Sequence, residues 1–369
     1  MKIKILSTIL ISIPLLTACD IGRELAKAAI DVVKNPQTEI GKQVMGSYSS
    51  KLKNLEFTCV KEQFPSLPQE ADQLYRYALY HDFKNRWLPK PGVLDRYLPY
   101  YRIAAANGHW QANLTLQEIL LKSKDINIET RERHGEGIYW NEKLMKILPA
   151  SAHYWWSLYI DVGYGPKHGA DDSLIYLRKA ADLGNAKAQS EVAELLMKIQ
   201  DDSSHTFRLG LTNKMRTCAA NQGRPDGMAA RMMAAFFDNA KNYGTAVNFY
   251  HQAIKAGETS SAYVLSRVFT FNDPQSDFSN WGVGEDQERS RRYYQINNFL
   301  SKSGHLKPEL NVHDLDEIVP LPPAKLPSWD GKIAIQRFVE GPAPAKPSDE
   351  LVRRLAKQAG LDPNTGLPK

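Results

Sequence analysis

Three cysteines, nine histidines and a series of glycine turns are the features of this 369-residue chain whose types and spacing bear on chemistry. Cys19 comes first. A short basic start (Met1, Lys2, Ile3, Lys4) leads into an apolar run from Ile5 to Leu16, which ends in Leu16-Thr17-Ala18-Cys19. Small residues directly before the first cysteine and directly after an apolar run make a lipobox. The sequence therefore predicts cleavage before Cys19 and a lipid on that residue. The run is only about a dozen residues, interrupted by Ser7, Thr8, Ser12 and Pro14, whereas a bilayer span needs about 20. It reads as an export address rather than a span. The plainer alternative is an ordinary secretion signal whose cleavage site happens to precede a cysteine.

The remaining reactive residue types are scattered. No HExxH pair presents two imidazoles on one helix face, and three cysteines cannot build a Cys-x-x-Cys framework, so no metal site is expected. Gly163-x-Gly165 with Gly169 looks superficially like a phosphate-binding loop, but helical patterns flank it where a dinucleotide site needs a strand. It is read as a turn, and no cofactor is expected. No Gly-x-Ser-x-Gly elbow occurs. His134 with Glu136, or His168 with Asp171, offer an acid and a base, as any loop holding both types does. No catalytic residue is assigned.

The elements that position these residues repeat. Ala104-Ala105-x-x-Gly108-x-x-x-Ala112, Ala180-Ala181-x-x-Gly184-x-x-x-Ala188, Ala219-Ala220-x-x-Gly223-x-x-x-Gly227 and Ala253-Ile254-x-x-Gly257 share one pattern. Paired small residues let the end of one helix pack closely, and glycine supplies the left-handed residue that ends it. A second helix follows at once. In the clearest unit, Tyr176, Leu177, Ala180 and Ala181 make one apolar stripe, and Ala188, Val192, Leu195 and Leu196 make the next. A hairpin of this kind cannot bury its faces alone, so neighbours stack. The long gap between the first two glycines calls for a degenerate unit, with Ala150-Ser151-Ala152, leading into Tyr154 and Trp155, as its candidate.

Tyr159-x-x-x-Gly163-x-Gly165 followed by Asp171, Tyr176, Lys179-Ala180-Ala181, Gly184, Ala186 and Ala188 resembles the Sel1-like repeat, a relative of the tetratricopeptide repeat. The resemblance covers roughly 94–306, and Asp286 to Gly304 reads as one further first helix. It implies an all-α fold, an α-α superhelical solenoid of helical hairpins. It departs from the family in lacking the second half of several units, notably between Lys124 and Pro149. The start of the chain resembles bacterial lipoproteins, whose anchor cysteine carries three acyl chains; each buried CH₂ adds about 0.8 kcal/mol. Asp20 resembles the signal that retains many such proteins in the inner membrane, facing the periplasm, although the outer membrane stays open. The expected organisation is a signal peptide (1–18), a lipid anchor and stalk (19–48), a helical cap (49–93), the solenoid (94–306) and a proline-rich tail with a short terminal helix (307–369).

Composition narrows the function classes. The chain carries 47 basic and 41 acidic side chains, a net charge of +6, which falls to about +4 without Lys2 and Lys4. That is too mild an excess to argue for nucleic acid. In an oxidising periplasm Cys59 and Cys218 are free to pair, although spacing alone does not fix their geometry. In the tail, Pro320, Pro322, Pro323, Pro327, Pro342, Pro344 and Pro347 favour extended backbone. Trp329 and Phe338 are expected to anchor it to the solenoid. Ser348 is placed to cap a helix over 349–359 that Gly360 ends.

Aromatic residues crowd two units. Trp110, Trp140, Trp155 and Trp156 are the candidate partner-binding residues, with core packing between helices as the alternative reading. Trp155 and Trp156 lie about 100° apart on a helix, so both cannot face inward equally. Arg178, Lys179, Arg216, Arg231, Arg289, Arg291 and Arg292 read as solvated faces, with an acidic partner as the alternative. The resemblance to lipoprotein Sel1 proteins implies a membrane-tethered, non-enzymatic binder of a periplasmic protein, specifically an immunity protein against a type VI secretion phospholipase effector. A Sel1 scaffold in envelope assembly or signalling is the second reading.

Overall fold

A computed structural model of the chain describes residues 56–122, 128–165, 169, 171–271 and 281–369, with only the backbone of Thr130 and Arg131. Cys19 and Asp20 lie outside the described residues. The described chain is all-helical, and its only β-type pairing is an isolated bridge between Leu361 and Pro368. None of these helices is long and apolar enough to cross a membrane.

The body is a run of helices, each packed on the one before it. These are α1 (Gln69–Arg86), α2 (Leu98–Ala106), α3 (Trp110–Lys122), α4 (Thr130–Leu144), α5 (Pro149–Asp161), α6 (Asp172–Asp182), α7 (Ala186–Lys198), α8 (His205–Ala220), α9 (Gly227–Asn239), α10 (Tyr243–Lys255), α11 (Thr259–Thr270) and α12 (Gln287–Lys302). The repeated small residues work as expected: Ala104, Ala180, Ala181, Ala219, Ala220 and Ala253 are essentially inaccessible to solvent. Gly108, Gly184 and Gly257 adopt positive φ at the hairpin turns. Asn185, Asp226 and Glu258 accept hydrogen bonds from the first backbone N–H groups of α7, α9 and α11, which explains why the second helix starts so soon after each glycine.

The sequence pattern missed some elements. Between Lys124 and Pro149, where the repeat pattern is lacking, the described residues include α4; Trp140, Asn141 and Leu144 are fully buried in it. The segment Ala150 to Ala152, the candidate for the degenerate unit, forms the first turn of α5 and leads into Tyr154 and Trp155 on the same helix. The expected helical cap is extended from residue 56 to 68 and helical only from Gln69.

That extended segment is a strap across the middle of the solenoid. The Glu62 N–H donates to Gly184 O (3.2 Å), and Val60 O accepts from Gln189 Nε2 (2.9 Å). Gln189 is itself held by Gln222 (2.9 Å), and Arg178 donates to Glu56 O (2.7 Å). Cys59 is bonded to Cys218 of α8, with Cα atoms 5.6 Å apart.

The tail returns to the start of the chain. It contains α13 (Leu315–Ile318), α14 (Ala334–Glu340) and α15 (Asp349–Gln358). The Ser348 hydroxyl accepts from Leu351 N–H (3.2 Å) at the start of α15, and Gly360 takes positive φ just beyond it. Phe338 packs edge-on against Tyr80 and Phe83 of α1, at 5.9 and 6.2 Å. The Arg102 guanidinium reaches Thr365 O (2.8 Å), and Asn107 reaches Leu355 O (3.1 Å). One hydrophobic core consequently runs from Leu74, Leu98 and Leu116 through the tail residues Leu315 and Leu355 to Phe269 and Tyr293, joining the two ends of the superhelix.

Two residues expected on solvated faces hold this tail. Arg289 and Arg292 are 7% and 5% exposed. Arg289 donates to Pro320 O (3.0 Å) and Ala324 O, and Arg292 donates to Ile318 O and to Pro327 O (2.7 Å). Proline-rich backbone lacks N–H groups but keeps its carbonyls, and arginine donors from α12 satisfy them. Nearby, buried His251 bridges Tyr293 Oη (2.8 Å) and Asp316 Oδ1 (2.7 Å).

Candidate functional site

Curling the helices and closing their ends leaves a cleft of about 840 Å³ on the inner side. Its walls come from α1, α3, α5, the start of α7 and the turn that leads into α9, with the strap on one side and the tail on the other. The inner wall is built from the second helix of successive hairpins, as stacking of hairpins dictates. Leu67, Leu114, Leu158, Ile335 and Phe338 give it apolar area, and charged side chains stand among them.

Glu62 is the best-tied of these. Its carboxylate accepts from the Ser151 N–H (2.8 Å) and the Ser151 hydroxyl (2.6 Å). It therefore closes the N-terminus of α5, where free N–H groups favour an anion. Burial pushes the Glu62 carboxyl above its ordinary range, and the two Ser151 hydrogen bonds and Arg224 pull it partly back. Ser151 is committed as a donor, so this pair fastens the strap.

The other carboxylates also have partners. Asp72 meets His109 (3.2 Å), Glu118 meets Lys122 (3.0 Å), and Asp226 accepts from Ala229 N–H (2.7 Å) with Lys187 at 3.8 Å. Glu309 of the tail accepts from Arg86 (2.7 Å) and from Thr115 (2.9 Å). Arg86 lies between Asp82 and Glu309, which raise its already high pKa.

Two arginines in the wall are different. The Arg224 guanidinium lies 5.0 Å from the Trp110 ring centre and 5.8 Å from that of Phe64, while the two rings pack 4.8 Å apart. Arg76 lies 5.4 Å from the Phe338 ring centre. Both residues stand in the wall of the cleft and keep solvent-accessible surface there. Surrounding protein lowers the Arg224 pKa, against the opposing pull of Tyr75, Glu309 and Glu62.

The four tryptophans singled out by sequence are dispersed. Trp110 is 5% exposed; its indole N–H donates to Pro65 O (2.9 Å) and its face supports Arg224. Trp140 is wholly buried, donating to Glu136 (2.9 Å), and has no place in the cleft. Trp155 is 6% exposed and lies in the wall of the cleft. Trp156 is half-buried, packed beneath Gly165 and facing Tyr176. Aromatic enrichment marked the region, but packing consumes most of these rings. Arg76 and Arg224 carry no sequence signal, because the rings that hold them come from distant parts of the chain: Phe338 of the tail for Arg76, and Trp110 of α3 with Phe64 of the strap for Arg224. Among the described residues no group of three or more His, Cys, Asp or Glu side chains is arranged to hold a metal ion.

Comparison with known proteins adds the following. A family described as a domain of unknown function (DUF6396) matches residues 261–369, which is the part that runs from α11 through the tail and closes the cleft. No curated protein matches the chain. Among solved structures, the chain is similar to one described as Pseudomonas aeruginosa 5086 (PA5086), with 26% identity over 72% of this chain and 95% of that one, at a TM-score of 0.49. It is also similar to two described as immunity proteins from Pseudomonas aeruginosa. One is Pa5087, with 25% identity over 73% and 95% and a TM-score of 0.47. The other is PA5088, with 28% identity over 72% and 94% and a TM-score of 0.46.

Proposed function

We propose that this chain is an immunity protein that takes part of a type VI secretion phospholipase effector into its cleft and blocks it, without catalysis of its own. The observation that carries the reading is the cleft itself. Its volume of about 840 Å³ falls in the upper part of the range of small-molecule pockets, but charged side chains from six helices or loops ring it. Such a lining suits the mixed surface of a protruding protein loop better than a small apolar ligand. Its carboxylates are spent on internal hydrogen bonds, so the wall is preorganised. Two of the similar structures are described as immunity proteins; at those TM-scores the reading rests on this chain's own cleft.

A lipid on Cys19 would hold the cleft at the periplasmic face of a membrane, with Asp20 favouring the inner membrane. An effector that attacks lipid would then meet its inhibitor at its substrate. What supports this part is the Leu16-Thr17-Ala18-Cys19 sequence and its apolar run. The Sel1-like reading of the repeats rests on the quoted motif and on hairpins that stack in order.

The experiment is periplasmic production of a phospholipase effector in a sensitive bacterium, with and without this chain. Protection of growth and a one-to-one complex are expected. Equal lipid hydrolysis with a molar excess of the chain present would remove the reading for that effector.

A further inference from the structure

The charge pairing inside the cleft is asymmetric, and this says what must enter it. Each carboxylate in the wall already accepts a hydrogen bond or faces a cation of the same chain. Lys122 and Lys187 are used by Glu118 and Asp226. Arg76 and Arg224 have no hydrogen bond or ion pair among the described residues, and each lies over aromatic rings.

Ring contact holds a guanidinium while leaving its N–H groups unspent. Those N–H groups form a planar fork matched to a carboxylate, and the ring support lowers the entropy lost when one binds. Glu62 and Glu309 act on Arg224 only through space, since both are bound elsewhere. The chain as a whole is basic, which favours approach of an acidic partner.

We infer that the partner segment entering the cleft is acidic, and that two of its Asp or Glu carboxylates dock on Arg224 and Arg76. This rests on the cleft being a protein-binding site. It assigns two arginines that hold the partner and the chemistry they recognise.

A random linear dodecamer peptide library selected against the full chain in detergent tests this directly. The selected peptides should be enriched in Asp and Glu and should weaken as salt rises. Arg224→Gln and Arg76→Gln should each weaken them about tenfold, the scale of one charge-assisted hydrogen bond. Lys198→Gln, outside the cleft, serves as the control, and unchanged thermal unfolding shows that the variants fold. Selection without acidic enrichment overturns the inference. So does equal binding of acidic peptides by the double variant. Vesicles of phosphatidylglycerol bound through the same two arginines, with no acidic peptide selected, would overturn it in favour of a lipid headgroup. The two readings fail separately. Full protection by the R76Q/R224Q chain against an effector overturns the acidic docking alone, and acidic peptides selected by a chain that protects against no effector overturn the immunity reading alone.

Discussion

Single residues in this protein are defined by partners distant in sequence. Glu62 has no distinguishing neighbour in the sequence, but in the fold it closes α5 through Ser151. Arg289 and Arg292 read as a solvated helix face, but they satisfy the carbonyls of a proline-rich segment. Trp140 reads as a candidate contact and is buried instead. In each case the sequence shows a residue type and its local spacing, while the identity of its neighbour depends on how the superhelix closes. His153 gives a test at this scale. Burial first, and Lys179 second, lower its pKa to about 4, and its Nδ1 is buried without a partner. Its folded pKa lies below the unfolded value of 6.5, so the neutral ring contributes stability that is complete above 6.5 and is lost as pH falls toward 4. An NMR titration of the His153 ring should show a midpoint near 4. A midpoint at 6.5 would contradict the burial that the packing of α5 against α6 imposes.

At the scale of elements, the hairpins were legible because their signals are local. The paired small residues, the glycine after them and the Asn, Asp or Glu cap of the next helix all lie within about eight residues of each other. The helix after Ser348 was legible for the same reason. Not legible was α4, which lies where the repeat pattern is lacking, or the strap, whose backbone bonds go to turns far along the chain. The turn glycines turn out to have a second task. Gly184 has φ +107°, and a Cβ there would come within 2.6 Å of the Glu62 nitrogen. The strap crosses the repeat where the missing side chain leaves room. Gly184→Ala should cost about 1 to 3 kcal/mol through backbone strain and a displaced strap. Gly223→Ala, in a turn with nothing within 4 Å of its Cβ position, should change stability by less than about 0.5 kcal/mol. Urea unfolding of both variants measures the difference; equal midpoints would show that the strap does not depend on the close approach at Gly184.

The whole molecule is a solenoid whose ends are tied together. An open repeat array spreads its stability over neighbouring repeats, whereas here one hydrophobic core contains both α1 and the tail. The Cys59–Cys218 bond spans a sequence separation of 159 and fixes the strap across the middle. Replacing both cysteines by serine should cost about 2 to 5 kcal/mol, mainly by freeing the unfolded chain, and should open the strap side of the cleft. Thermal unfolding under oxidising and reducing conditions reports this, and coincident curves would contradict it. The central claim is that the cleft receives a protein. Gln111 stands in its wall on α3, and Leu195 lies outside it on α7. Titration calorimetry of the full chain with a phospholipase effector that it neutralises should show binding abolished by Gln111→Trp, which fills the cleft, and unchanged by Leu195→Trp. Binding that survives Gln111→Trp and is lost with Leu195→Trp would place the partner on the outer surface and contradict the account.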